Sequence, residues 1–397
     1  MNNLETSTSL SVHFEKLDAA LTQYQAYWNF VPFQCSDFPW DNPELTEYLQ
    51  TLAEQTELEH DEVCQQIAQR FFPELADALE QVDFVHNQLV DDWQKPVPFW
   101  LLNGIHGRKI TQVQQLSAQI KPKYPLLEWC AGKGHLGRLL SFQHDVAVTS
   151  VEWQQGLCEQ GTNLAKTYDI KQDFIHADVL KQRAVWLKPQ QHVVALHACG
   201  DLHVTLLKQA VEAQVEYMHV APCCYHLIGD EVYPALSQQG KQSSLHIAKS
   251  ILKLAVQAQV TAGQRVANLR QTEVLWRLAY QLIRADITGD ASYQSLPSVK
   301  KSWFTGEFVD FVTWGAEHQG FTLPADLDFA DYLQRAAIKQ KFTQQLEYVR
   351  HAFQRALELW LVLDKALFLE QSGYQVEVNY FCPYQTTPRN MMIVAKL

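Results

Sequence analysis

No stretch of this chain stays apolar and uncharged for the roughly 18 residues that a membrane-crossing helix needs. The start, Met1 to Thr6, has neither the basic flank nor the apolar core of a secretory leader, so the expected setting is cytoplasmic and away from membranes. Basic residues are scarce at the front, where residues 1–100 hold 18 Asp+Glu against 3 Lys+Arg, and the remainder holds 26 against 29. The net charge of -12 therefore belongs to the front, and the rest is slightly basic. Eight cysteines in 397 residues are too few for a disulfide framework and suit a reducing compartment. Only Cys35 and Cys64 fall in the first hundred residues, without finger spacing. Internal repeats and low-complexity tracts are absent as well, which excludes a solenoid or a linker-rich chain.

What remains is an ordinary globular composition, 47% hydrophobic and 19% charged, long enough for a main domain with satellites. Residues 1–103 read as an acidic helical domain, with apolar residues at helical spacing in 45–52, 63–72 and 75–89, punctuated by Pro39, Pro43, Pro73 and Pro96. Its expected role is to pack over one face of the main domain, with partner binding as the alternative. From Lys121 short apolar runs alternate with helices, the signature of a parallel α/β sheet. The strands predicted are 125–130, 146–153, 172–177, 193–197 and 215–221, with helices starting near Leu136, Gln154, Val179 and Leu202. A helical insertion is expected over about 228–342, including helices over 245–260, 272–285 and 306–318. A long helix then runs to Gln371, stops at Ser372 and Gly373, and precedes strands at 375–381 and 390–396. The main domain is therefore set at 104–397, an α/β, Rossmann-like seven-stranded sheet closed by an antiparallel hairpin.

The most informative segment is 127–137, where an apolar strand ends at Glu128, a Gly132-Lys133-Gly134 turn follows, and a helix begins. Such a turn lets the backbone approach a nucleotide-type ligand, while the helix start offers N–H groups and a positive dipole end. About twenty residues on, Glu152 ends a second strand, where Rossmann-type folds hold ribose hydroxyls. The terminal hairpin resembles the ending of class I methyltransferases, whose last strand runs antiparallel between two others, rather than that of dinucleotide dehydrogenases. That resemblance implies S-adenosylmethionine (SAM) as cofactor. Gly132 and Gly134 would pass beneath its methionine part, Glu128 or the loop backbone would meet its ammonium, and Glu152 would take the ribose. Asp178 would accept from the adenine amino group, or else simply cap a helix.

Two clusters follow the fourth and fifth strands: His197, Cys199, Gly200 and Asp201, then Cys223, Cys224, Tyr225 and His226. Both are expected to face the crevice at the strands' carboxyl ends. Three readings stay open. In the first, Asp201, His197 or His226 orients or deprotonates an acceptor, with Cys223, Cys224 and Tyr225 lining its pocket. In the second, Cys130, Cys199, Cys223, Cys224 and a histidine hold zinc, against which the adjacent cysteines lack the usual gap. In the third, Cys130 and Cys199 are small buried residues beside the cofactor. The first is favoured, and methyl transfer itself calls for no metal. Upstream, Arg108 and Lys109 read either as a solvated loop or as a clamp on an anionic acceptor or the cofactor carboxylate.

Together, residues 128–136, 196–202 and 222–226 resemble the methyltransferase domain type 32 family, a group related to eukaryotic tRNA acceptor-stem 2'-O-methyltransferases. Thr387 to Asn390 and the Arg108-Lys109 segment also have counterparts there. The resemblance runs from about Ile105 to the C-terminus and implies a SAM-dependent methyltransferase. The expected acceptor is RNA, with tRNA among the candidates. Arg108, Lys109, Arg265, Arg270, Arg277, Arg284, Lys300 and Lys301 would then supply either a phosphate-facing surface or merely solvated helix faces. A protein or small-molecule acceptor is the alternative, recognised by Trp303, Phe304, Phe308, Phe311 and Trp314 unless these form a core. A non-catalytic scaffold is the third reading. No Asn-Pro-Pro-Tyr or Asp-Pro-Pro-Tyr motif follows the fourth strand, which argues against the usual amino methylation of adenine or cytosine.

Overall fold

The computed structural model describes residues 9–52, 59–82, 84–86, 95–105, 107–257 and 264–397. Its strands are β1 (Val85–His86), β2 (Leu126–Trp129), β3 (Val148–Glu152), β4 (Gln172–His176), β5 (His192–Ala195), β6 (Tyr217–Val220), β7 (Gln375–Tyr380) and β8 (Met391–Lys396). The helices are α1 (Leu10–Gln23), α2 (Pro43–Leu52), α3 (His60–Phe71), α4 (Pro73–Glu80), α5 (Arg108–Gln119), α6 (His135–His144) and α7 (Gln155–Thr167). They continue with α8 (Asp201–Glu212), α9 (Gln238–Gln242), α10 (Gln264–Thr288), α11 (Phe308–Gln319), α12 (Phe329–Ala352) and α13 (Gln354–Gln371).

The chain forms two compact units, one of Met1–Gln23, Glu74–Val260 and Gln354–Leu397, the other of Tyr24–Pro73 and Thr261–Phe353. This grouping crosses the sequence boundaries at 103 and 228. In the first unit, α1 lies along α13, where the Trp360 indole donates to Asp18 at 2.8 Å and Phe14 packs 5.2 Å from the Trp360 ring. A few long-range side-chain contacts thus assign α1 to the sheet unit, and local composition carries no trace of them.

One sheet orders the strands β1-β7-β8-β6-β5-β2-β3-β4. All neighbours run parallel except β8, antiparallel to both β6 and β7, so the expected hairpin is present with β8 between its two partners. The seven expected strands are all there, and β1 adds a two-residue edge beside β7. Every residue of β2 and of β5 is buried, as a parallel sheet covered on both faces requires. A core cluster of Val113, Leu116, Leu139, Leu140, Val148 and Val194 joins α5 and α6 to the strands. Strand order reverses between β2 and β5, and a crevice opens outside the carboxyl ends at such a switch point.

Two expected helices are absent. After β4 the chain turns at Asp178, whose Oδ1 accepts from the Leu180 amide at 3.1 Å, and residues 179–191 form turns instead of a helix. The aspartate offers the backbone an alternative to helical bonding. Over 245–260, the backbone bonds from Tyr233 to Ile247 and from Lys249 to Glu231 draw the chain into an antiparallel bridge. Only Ile251–Val256 is then helical, as a 3-10 segment, and 258–260 lie outside the described residues. The helix expected over 75–89 ends at Glu80, Val85–His86 are strand β1 instead, and 83 and 87–89 lie outside the described residues.

The second unit is helical. α10 and α12 lie against one another, α3 packs on α12, and Phe304, Phe308 and Phe311 fill a core with Trp276 and Tyr280. Trp303 and Trp314, partly buried, pack against that core, so Phe304, Phe308 and Phe311 are core residues, the alternative expected for this set. Arg284 is 5% exposed and bound to Asp290, and Arg277 pairs with Glu273 and two carbonyls; neither faces phosphate. Arg265, Lys300 and Lys301 are exposed.

Candidate active site

The site is built at the end of β2. Three of the five residues from Cys130 to Gly134 adopt left-handed backbone angles, with φ of +56° at Cys130, +60° at Gly132 and +69° at Gly134. The two glycines serve different ends. A Cβ on Gly132 would meet nothing within 4 Å, so that position opens toward free space; a Cβ on Gly134 would lie 2.3 Å from Gln172 Nε2. Gly132 lets a ligand approach, whereas Gly134 lets β4 pack against the turn.

Hydrogen bonds from several directions fix the turn. Glu152 Oε2 accepts from the Gly132 amide and Oε1 from the Gln154 amide, both at 2.9 Å. The Ala131 amide donates to the Val151 carbonyl at 3.0 Å, and buried Arg138 donates from Nη1 to the Lys133 carbonyl at 3.1 Å. Glu152 thus holds the loop in shape while each oxygen keeps a second lone pair for a hydroxyl donor.

Glu128 has a different task from the one expected. Its carboxylate is buried, accepts from Ser150 Oγ at 2.8 Å, and also takes the Leu136 and Gly137 amides at the start of α6. Burial raises its pKa to about 7, against the opposing pull of these bonds and of Arg138. Glu128 therefore caps α6 from beneath, and two amides expected to face the ligand are spent inside the protein.

Beside the turn lies a cavity of about 260 Å³, bordered by Lys109, Cys130, Gly132, Lys133, His135 and His197 among others. Lys109 and Lys133 bring positive charge to it, and among the described residues the one acid on its border is the inward-facing Glu128. Burial, then Arg138 and the two lysines, lowers the His135 pKa to about 4; partial burial and Lys109 lower that of His197 as well. Both rings are neutral at pH 7, and a neutral imidazole can accept a proton. Lys133 and His135 escaped attention in the sequence, although each stands within or next to the glycine turn.

The two motifs after β5 and β6 form one interlocked structure. The Gly200 amide donates to the Cys223 carbonyl at 3.1 Å and the Asp201 amide to the Leu227 carbonyl at 3.0 Å, while Asp201 Oδ2 accepts from the Gly229 amide at 2.7 Å. The loops approach so closely that a Cβ on Gly200 would lie 1.9 Å from the Leu227 carbonyl oxygen. Asp201 ties the loops together and is not among the residues bordering the cavity. Tyr225 is 2% exposed, with its hydroxyl on the Pro222 carbonyl at 3.3 Å and its ring 5.3 Å from Lys365 Nζ. That burial removes it from the acceptor pocket. Cys199 and Cys223 lie in register on neighbouring chain segments with sulfurs 3.5 Å apart, Cys224 joins them, and His226 is half-buried on the same loop.

Of the other expected residues, Asp178 stands past the end of β4, away from the cavity border, with Lys181 folded onto its carboxylate at 3.1 Å. Arg108 is exposed at the start of α5, one residue before Lys109. The structure thus brings Gly132, Lys109 and His197 to one cavity, and sets Asp201, Tyr225 and the Cys223-Cys224 pair beside it. The left-handed turn, the space above Gly132 and the ordered Glu152 carboxylate suit a nucleoside-bearing cofactor whose hydroxyls can donate to that carboxylate.

Residues 108–231 match the methyltransferase domain family of type 32. No curated protein sequence matches the chain. Among solved structures, it is similar to a Pyrococcus abyssi tRNA (uracil-54, C5)-methyltransferase in complex with S-adenosyl-L-homocysteine, at 17% identity and a TM-score of 0.25, over 29% of this chain and 28% of that one. It is also similar to a TehB-like SAM-dependent methyltransferase from Corynebacterium glutamicum, at 14% identity and a TM-score of 0.24, over 30% and 62%. A third is TrmK of M. capricolum in complex with S-adenosyl-homocysteine, at 9% identity and a TM-score of 0.23, over 28% and 50%. The chain spans less than two thirds of each of these proteins. Residues 108–231, which carry the glycine turn and the sheet's switch point, thus match a methyltransferase domain family of type 32.

Proposed function

We propose that this domain methylates RNA, gripping SAM at the Gly132 turn and drawing the phosphate backbone to Lys109 and Lys133. One observation carries the reading: among the described residues, the cavity at the switch point is bordered by two lysines and no outward-facing acid. Phosphate contacts of this kind position a nucleic acid without reading its sequence. Arg108, exposed one residue before Lys109, extends the basic rim.

SAM, when bound, would supply a sulfonium methyl group to an acceptor oxygen or nitrogen and leave as S-adenosylhomocysteine. Glu152 would accept from ribose hydroxyls while its bonds to the Gly132 and Gln154 amides keep it oriented. The Gly132 backbone leaves room for the methionine part. His197, neutral at the cavity mouth, orients the acceptor and receives its proton as the new bond forms.

The test is incubation of the full chain with methyl-labelled SAM and a cell extract, followed by separate nuclease and protease digestion. Label lost to nuclease and kept through protease supports an RNA acceptor. Label lost to protease, or recovered in a small-molecule fraction, overturns it.

A further inference from the structure

We infer that Cys199, Cys223 and Cys224, with His226, form a binding site for a soft divalent cation, zinc by the chemistry of its ligands. This goes beyond methyl transfer and does not depend on the identity of the acceptor.

The three ligating sulfurs all lie within 4.8 Å of one another, and the Cys199 and Cys223 sulfurs are 3.5 Å apart. Tetrahedral zinc with bonds of about 2.3 Å sets its sulfurs about 3.8 Å apart, within a few tenths of an ångström of the Cys199–Cys223 separation. No disulfide joins these residues. Three converging thiols without a covalent bond need a reason, because free cysteines usually serve as scattered small apolar residues.

Adjacent cysteines are a poor ligand pair on an extended chain, where successive side chains point to opposite faces. Here the backbone removes that obstacle. Cys224 adopts φ +48°, a left-handed conformation that a non-glycine residue rarely takes, and the turn is closed by the Leu227 amide on the Cys224 carbonyl at 2.9 Å. The result places the Cys224 sulfur with those of Cys199 and Cys223.

The loops are also preorganised. The bonds of Gly200 to Cys223, Asp201 to Leu227 and Gly229 to Asp201 hold both ligand-bearing segments before any cation arrives. Two residues past Cys224, His226 has a buried Nδ1 with no hydrogen-bond partner; it stands outside the group of converging sulfurs and would have to swing toward them to complete a Cys3His set. On binding, each thiol gives up its proton and coordinates as thiolate. The cation would lock the ends of β5 and β6 together at the edge of the methyl-transfer crevice.

The test is elemental analysis of the full chain, purified without chelator and dialysed, followed by cobalt substitution. The site predicts one zinc per chain and an intense thiolate-to-cobalt charge-transfer band. Cys199→Ser, Cys223→Ser and Cys224→Ser each weaken retention at least tenfold in chelator competition, and His226→Ala does the same without removing a thiolate. Cys64→Ser retains the cation, because the only other such cluster among the described residues, His60, Cys64 and His351, lies in the second unit. Wild-type protein that holds no cation and gives no charge-transfer band overturns the inference, whatever the variants do. So does a cation lost with Cys64→Ser, or one indifferent to His226→Ala.

Discussion

The Gly132 amide donates to Glu152 Oε2 at 2.9 Å, so the residue that opens the cofactor turn is held by the residue that ends the next strand. Removing the carboxylate strands two amides, those of Gly132 and Gln154. Glu152→Ala should therefore cost about 1–3 kcal/mol of stability, the usual penalty for unpaired buried groups. It should also weaken SAM binding at least tenfold. Urea denaturation and a SAM titration measure the two effects, and a variant unchanged in both would show that Glu152 holds neither turn nor cofactor.

The two glycines of the turn should separate stability from binding. Gly134→Ala places a methyl 2.3 Å from Gln172 Nε2 in a left-handed conformation, and should lower the unfolding midpoint sharply. Gly132→Ala meets only open space, so its structural cost is the backbone strain of about 1–2 kcal/mol, while the methyl intrudes where the ligand passes. The expected pattern is an unstable first variant, and a folded second one with impaired SAM affinity. Equal stability losses would refute the division of labour.

Stability should carry the signature of Glu128. Its carboxyl holds its proton more tightly folded, at about 7, than unfolded, near 4.5. Its contribution is complete below pH 4.5 and falls as pH rises toward 7, by about 3 kcal/mol in all. Glu128→Gln removes the titrating group but keeps an acceptor for Ser150 and the α6 amides. The difference in unfolding free energy between wild type and Glu128→Gln should therefore shift in favour of the variant from pH 4.5 to pH 8. Parallel stability curves would exclude a buried, proton-binding Glu128.

Much of this fold was legible because its strands are short apolar runs flanked by turn residues, and because both ends of the sheet obey local rules. The β7–β8 hairpin is an example, announced by Ser372 and Gly373 and by the apolar run from Met391. What escaped was set by long-range contacts. The Trp360 to Asp18 bond assigns α1 to the sheet unit, and the Asp178 turn replaces a helix. In the site, residue types were readable but directions were not. Glu128 faces inward to cap α6, Asp201 ties loops, and Tyr225 is interior, since a motif shows which groups gather and not which way each points. The adjacency of Cys223 and Cys224 argued against a shared ligand until the left-handed Cys224 backbone removed the objection.

Binding of RNA should depend on Lys109 and Lys133. Each phosphate contact contributes a slope of about 0.9 in the logarithm of affinity against that of salt for duplexes and about 0.7 for single strands. Lys109→Ala with Lys133→Ala should reduce the slope by about 1.4–1.8 and weaken binding across sequences. Filter binding over a salt series measures this. An unaltered slope would place the nucleic acid elsewhere or remove it from the account.

The central claim is that the Gly132 turn is a SAM site, and calorimetric titration of the full chain with SAM tests it most directly. Saturable one-to-one binding is predicted, abolished by Gly132→Arg in a protein whose far-ultraviolet circular dichroism is unchanged. No saturable heat at millimolar SAM, or undiminished binding by the folded Gly132→Arg variant, would contradict it.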